Sequence, residues 1–194
     1  MKRLSLSFSI IVLIGTSAFA QQAKPDYGMP ELHLIRTVTL SPSYSCRSTE
    51  DFQTGYAGTA LFVSSYSKNR NSPDLLFNGA CKSEDYFEAQ DFSLVADLGT
   101  KVSLEEVSAS RAFNLKRVHS FAEYSKFAEE AQVAANHTYV VLLNKSEIRG
   151  LFVFTVDEYV PNQKVVLRYA VKSYQIMPSG SVRAENFDWE RPSN

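Results

Sequence analysis

Cys46 and Cys81 are the only two cysteines in the 194-residue chain, and each opens the same short pattern. Cys46-Arg47-Ser48-Thr49-Glu50-Asp51-Phe52 is echoed by Cys81-Lys82-Ser83-Glu84-Asp85-Tyr86. Each cysteine precedes a basic residue, a serine, a Glu-Asp pair and an aromatic. A lone pair of cysteines in an exported chain forms one disulfide as a rule. The loop closed between Cys46 and Cys81 spans 36 residues, and chain entropy assigns such a crosslink roughly 4 kcal/mol. Two cysteines so far apart, without a neighbouring histidine pair, do not have zinc-ligand spacing.

A disulfide brings its two Cα atoms within about 6 Å, so the Glu-Asp pairs leave from one staple. If they converge, Glu50, Asp51, Glu84 and Asp85, with Glu88, offer the oxygen-rich set that Ca²⁺ takes. The spacing is not that of an EF-hand loop. The competing reading is two solvated acidic turns, partly neutralised by Arg47 and Lys82. No other metal or organic cofactor is implied.

Catalytic signatures are sparse. His33, His119 and His137 have no partner at a spacing that makes a triad, and a structural or surface role is expected of each. The sequence holds no G-x-S-x-G, no H-E-x-x-H and no Gly-rich phosphate loop. Asp157/Glu158 and Glu105/Glu106 are carboxylate pairs that a hydrolase could use, although strand-edge solvation explains both. Asn136-His137-Thr138 and Asn144-Lys145-Ser146 fit the N-glycosylation triplet and are read as chance matches.

The amino terminus sets the compartment. Lys2 and Arg3 precede the uncharged stretch Leu4 to Phe19, and Ala18-Phe19-Ala20 forms a small-x-small cleavage pattern. Residues 1–20 are therefore expected to be a signal peptide, leaving Gln21 at the terminus of a secreted or periplasmic chain. The stretch is shorter than the ~20 residues of a spanning helix. No transmembrane segment is expected after cleavage. Positions 21–194 hold 18 basic and 21 acidic residues, a net charge of −3. With the basic residues scattered, nucleic-acid binding is set aside.

Those side chains must be positioned by a mainly β domain. Residues 21–31 read as a flexible lead-in, 32–177 as one β-rich domain and 178–194 as a polar tail carrying Trp189. In 32–40, Leu32, Leu34, Val38 and Leu40 alternate onto one face. Residues 59–66 and 75–77 suggest a hairpin across a polar turn, and 91–98 with 101–107 a second pair. Residues 138–143, 151–156 and 165–171 predict a three-stranded meander, its first two strands central, with turn chemistry at 160–163. Ser120 and Glu123 form a capping box, and Phe121, Tyr124, Ala128, Ala131 and Ala135 share a helical face, which predicts a helix over 121–135. The expected fold is an antiparallel sandwich or barrel-like domain with one amphipathic helix, α+β being the alternative.

Tyr27, Tyr44, Tyr56, Tyr66 and Tyr86 fall in or beside predicted loops and could form a recognition surface. The expected function is a non-catalytic binding or structural module for a protein or glycan. The alternatives are an exported hydrolase using paired carboxylates and an envelope-associated assembly component. The oligomeric state is left open.

Overall fold

The strongest β pattern in the chain sits at the centre of its structure. A computed structural model describes residues 28–43, 58–79, 84–110 and 127–177. Cys46, Cys81, Glu50, Asp51 and His119 lie outside these ranges, as do residues 1–20 and 178–194. Among the described residues the elements are β1 (Arg36–Leu40), β2 (Ala60–Leu61), α1 (Ser65–Asn69), β3 (Leu75–Asn78), β4 (Tyr86–Ala89), β5 (Leu94–Gly99), β6 (Phe127–Ala128), β7 (Glu130–Gln132), β8 (Thr138–Asn144), β9 (Ile148–Val160) and β10 (Lys164–Ile176).

They form two antiparallel sheets. The larger has the order β1-β10-β9-β8-β5-β6 and the smaller β2-β3-β4-β7. The meander of β8, β9 and β10 is present, and its strands extend beyond the predicted runs. β8 reads TYVVLLN and is buried along its whole length. β-Branched and aromatic side chains suit such a pleated surface, and both of its faces are covered.

Alternation divides β8 between two cores. Tyr139, Val141 and Leu143 point between the sheets, where they meet Phe77 and Phe87 of the smaller sheet, Phe152 and Phe154 of β9, and Leu167 of β10. Phe87 packs edge-on against Tyr139 and Phe154, at ring distances of 5.3 and 4.9 Å, a favoured aromatic geometry. Val140 and Leu142 point to the opposite face with Leu151, Val153 and Ala170, beneath Leu104 and Val107. The segment 101–107 is therefore a covering loop and not the strand expected there. Its two buried apolar residues lie three apart and cap the second core.

The sheets are joined at both sides. Ala128 ends β6 in the larger sheet and Glu130 begins β7 in the smaller, so the chain changes sheet at Glu129, whose carbonyl accepts the Ala89 N–H. At the other side the Ser41 N–H donates to the Gly58 carbonyl, linking the end of β1 to the approach to β2. Strands that turn a corner between sheets are a known way to close a sandwich.

Residues 127–135 correct the helix expectation. Residues 127–128 and 130–132 are strands and Ala135 lies in a turn, while residues 121–126 lie outside the described ranges. Sheet pairing won over the helical spacing. Glu130-Ala131-Gln132-Val133 also alternates, with Val133 buried, and Ala131 sits opposite Phe87, where a small residue accommodates a large neighbour. The helix that does form, α1, takes the last two residues of the strand expected over 59–66 and the first three of the polar turn after it, so that β2 is only Ala60–Leu61. The Ser64 hydroxyl caps it by accepting the Ser67 N–H.

Candidate functional site

Two bulges interrupt the β9–β10 ribbon, and one of them sets up the end of the sandwich where α1 docks. Val171 pairs with Phe152, but the next partner of Leu151 is Ser173, so Lys172 is extra. A bulge shifts side-chain alternation by one. Val171 and Tyr174 consequently both point into the inter-sheet core. The Tyr174 hydroxyl lies 2.6 Å from Ser64 Oγ and 3.3 Å from Ser67 Oγ, and the two serines are 3.1 Å apart. The second bulge, at Asp157, leaves that carboxylate to accept a 2.6 Å bond from Arg168 Nε.

Behind the serines lies a buried ion pair. Lys145 Nζ is 2.8 Å from Asp74 Oδ1, and the two side chains are 3% and 0% exposed. Asp74 Oδ1 also accepts the Ser67 hydroxyl, and Oδ2 accepts the Val63 N–H at 2.8 Å. Lys145 Nζ donates further to the Ser72 carbonyl at 2.9 Å, to Ser72 Oγ at 3.2 Å and to the Pro73 carbonyl. Burial pushes the Asp74 carboxyl above its ordinary range, while the facing Lys145 pulls it back. Asp74 directly precedes β3 of the smaller sheet and Lys145 directly follows β8 of the larger, so this pair fastens one sheet to the other. Outside it, Glu147 accepts the Tyr66 hydroxyl at 2.5 Å and pairs with Arg70, whose guanidinium lies 4.5 Å from the Tyr66 ring centroid.

This fastened end supports an apolar strip. Gly28 has φ +65° and rests on α1: a Cβ there would come within 2.7 Å of Ser65 Cβ. Leu32 forms a parallel bridge with Val171, and the His33 N–H donates to the Val171 carbonyl at 2.7 Å. His33 takes φ +65°, which breaks the expected strand at that point. β1 therefore begins only at Arg36, and Leu32 and Leu34 leave the buried face assigned to them by alternation. Met29, Leu32, Leu34 and Ile35 are each 42–48% exposed. Among the described residues the only other large hydrophobic so exposed is Phe92. The strip runs directly into β1, an edge strand of the larger sheet, where Thr37 and Thr39 face solvent.

The other residues marked in the sequence have separate roles. Asp85 is buried and accepts the Tyr159 hydroxyl at 3.1 Å and the Asn162 N–H at 2.7 Å, tying the start of β4 to the β9–β10 turn. Burial and the Asp85 bond push the Tyr159 phenol up to about 12. Glu84 is exposed, and Glu88 accepts bonds from Asn78 and Gln90. Glu50 and Asp51 lie outside the described residues, and so does the cysteine pair. Within the described residues no cluster of three or more His, Cys, Asp or Glu could hold a metal ion.

Asp157 is engaged by Arg168 and Glu158 by Lys164 at 2.8 Å, while Glu106 accepts the Ser103 N–H. His137 Nδ1 lies 2.8 Å from Asp97 Oδ2, and Asp97 Oδ1 also accepts the Gly99 N–H. Among the loop tyrosines, Tyr66 is in α1 and Tyr86 in β4, both half-buried, and Tyr27, Tyr44 and Tyr56 lie outside the described residues. Among the described residues, four of the five exposed large hydrophobics are thus the aliphatic side chains of residues 29–35.

No protein-family model, curated protein or solved structure matches the chain. No helix among the described residues is long and apolar enough to cross a membrane.

Proposed function

We propose that the chain is an exported, non-catalytic binding module whose partner is a protein, taken up as an extended segment along β1 and the apolar strip before it. The observation that carries this reading is the concentration of exposed apolar side chains, Met29, Leu32, Leu34 and Ile35, next to an edge strand. An edge strand offers a row of backbone donors and acceptors. An added strand satisfies them, and apolar side chains beside the edge supply the pockets that select it. Exposed apolar residues gathered in one place mark interaction surfaces more often than scattered ones do. A protein segment fits better than a glycan, since the strip is aliphatic and glycan sites stack on exposed aromatics. Export rests on the amino-terminal pattern, with the periplasm or the exterior as its destination.

The test is a selection of displayed extended peptides on the purified chain starting at Gln21. Recovered peptides should lose about tenfold or more in affinity against Leu34→Glu or Ile35→Glu, the loss of roughly 1.4 kcal/mol of apolar contact. Selection of no peptide, or equal binding to both variants, contradicts the proposal.

A further inference from the structure

The buried pair at the end of the sandwich has the composition and contact of an amide-forming site. We propose that Lys145 and Asp74 condense to an intramolecular isopeptide bond that ties the two sheets together covalently. The bond is independent of the binding surface.

Nζ and Oδ1 are in contact at 2.8 Å, and both side chains are almost wholly excluded from water. Two charges in such a place carry a desolvation cost that an amide does not. The carboxyl is already displaced toward its neutral form by burial. The contacts divide the work. Lys145 donates to the Ser72 and Pro73 carbonyls. Once the ammonium has given one proton to Asp74, those two carbonyls hold the remaining N–H groups. The freed lone pair then lies on the side of Asp74, the group that it must attack.

Attack of Nζ on Cγ forms the C–N bond and places negative charge on Oδ2, which already accepts the Val63 N–H at 2.8 Å. A backbone donor aimed at the developing oxyanion is the usual way to stabilise such an intermediate. Oδ1, carrying the first proton from Lys145, takes the second from the new ammonium. The C–O bond breaks and one water leaves. Ammonium and carboxylate become amide and water, with no oxidant, metal or further reactant. Holding both groups in contact in the folded state supplies the effective concentration that an unstrained amine and carboxyl lack in solution.

The experiment is a peptide map by tandem mass spectrometry of the purified chain, with thiols reduced and alkylated. The expected result is a branched peptide joining the Asp74 and Lys145 segments, lighter by one water than the two linear peptides together, and absent from Lys145→Arg. The map is decisive where intact mass is not, since cyclisation of a terminal Gln21 also lowers the mass. Recovery of both segments as linear peptides, with a free Lys145 amine and Asp74 carboxyl, overturns the proposal. The wild-type map decides between these outcomes even if the variant does not fold.

Discussion

The Tyr174 hydroxyl reaches to within 2.6 Å of Ser64 Oγ, across 110 positions of sequence, because Lys172 is looped out of the β9–β10 ladder. That single extra residue turns Tyr174 inward. It lets the end of β10 hold the cap of α1, and α1 in turn bears the approach to the apolar strip. Tyr174→Phe removes both serine contacts and is expected to cost about 1–2 kcal/mol. Deleting Lys172 restores simple alternation, turns Tyr174 outward and should cost more. Urea denaturation of the two variants measures the order.

Removing one partner of a buried pair strands the other. Lys145→Met is expected to destabilise the chain by about 3–5 kcal/mol. Adding Asp74→Asn, which keeps an acceptor for the Val63 N–H, should recover part of that loss. A double variant less stable than the single one contradicts the fastening role, and thermal melts of both decide.

Gly150 tests the closeness of the ribbon. It pairs with Leu143 on one side and Tyr174 on the other, and a Cβ there would lie 2.6 Å from the Ser173 carbonyl oxygen. The neighbour is backbone and cannot swing aside. Gly150→Ala should therefore cost about 1–3 kcal/mol, the range of core overpacking. Little or no change in the denaturation midpoint would show that the strands part easily here.

Alkali should loosen the fold through Tyr159. Its phenol ordinarily titrates near 10 and is pushed up to about 12 by burial and by its bond to Asp85. Between those values the folded chain keeps a proton that the unfolded chain releases, so stability falls with rising pH. The contribution is fully present below pH 10 and is lost as the pH climbs through about 12. Tyr139 and Tyr174 are raised by burial as well, so several phenols share the slope. Tyr159→Phe should flatten it in part, as read from unfolding free energies between about pH 9 and 12.

The central sheet was legible because its signal is local. Val165, Leu167, Tyr169 and Val171 alternate in the sequence and face one core in the structure. The 160–163 turn also lies where Pro161 and Asn162 suggest it. The extent of β1 was not legible. Leu32 and Leu34 fit a strand until His33 takes a left-handed backbone, a choice settled by contacts with β10, far along the chain. Residues 127–133 carry a helical and an alternating pattern together, and only pairing with β4 and β5 decides between them.

Most of the candidate site was equally hidden. Lys145 lies inside a glycosylation-like triplet, and Asp74 closes a polar run next to Pro73. Nothing local shows that these two residues meet. The one available hint is an uninterrupted apolar strand, β8, ending abruptly at Asn144-Lys145, which places a cation at the rim of the core.

Hydrogen exchange with a selected peptide bound tests the proposed binding mode most directly. An added strand on β1 slows the amides of residues 34–40, and glutamate at Leu34 or Ile35 removes that protection. Protection centred on the Asp85–Tyr159 end or on the covering loop 101–107, with residues 34–40 unchanged, would place recognition elsewhere on the molecule.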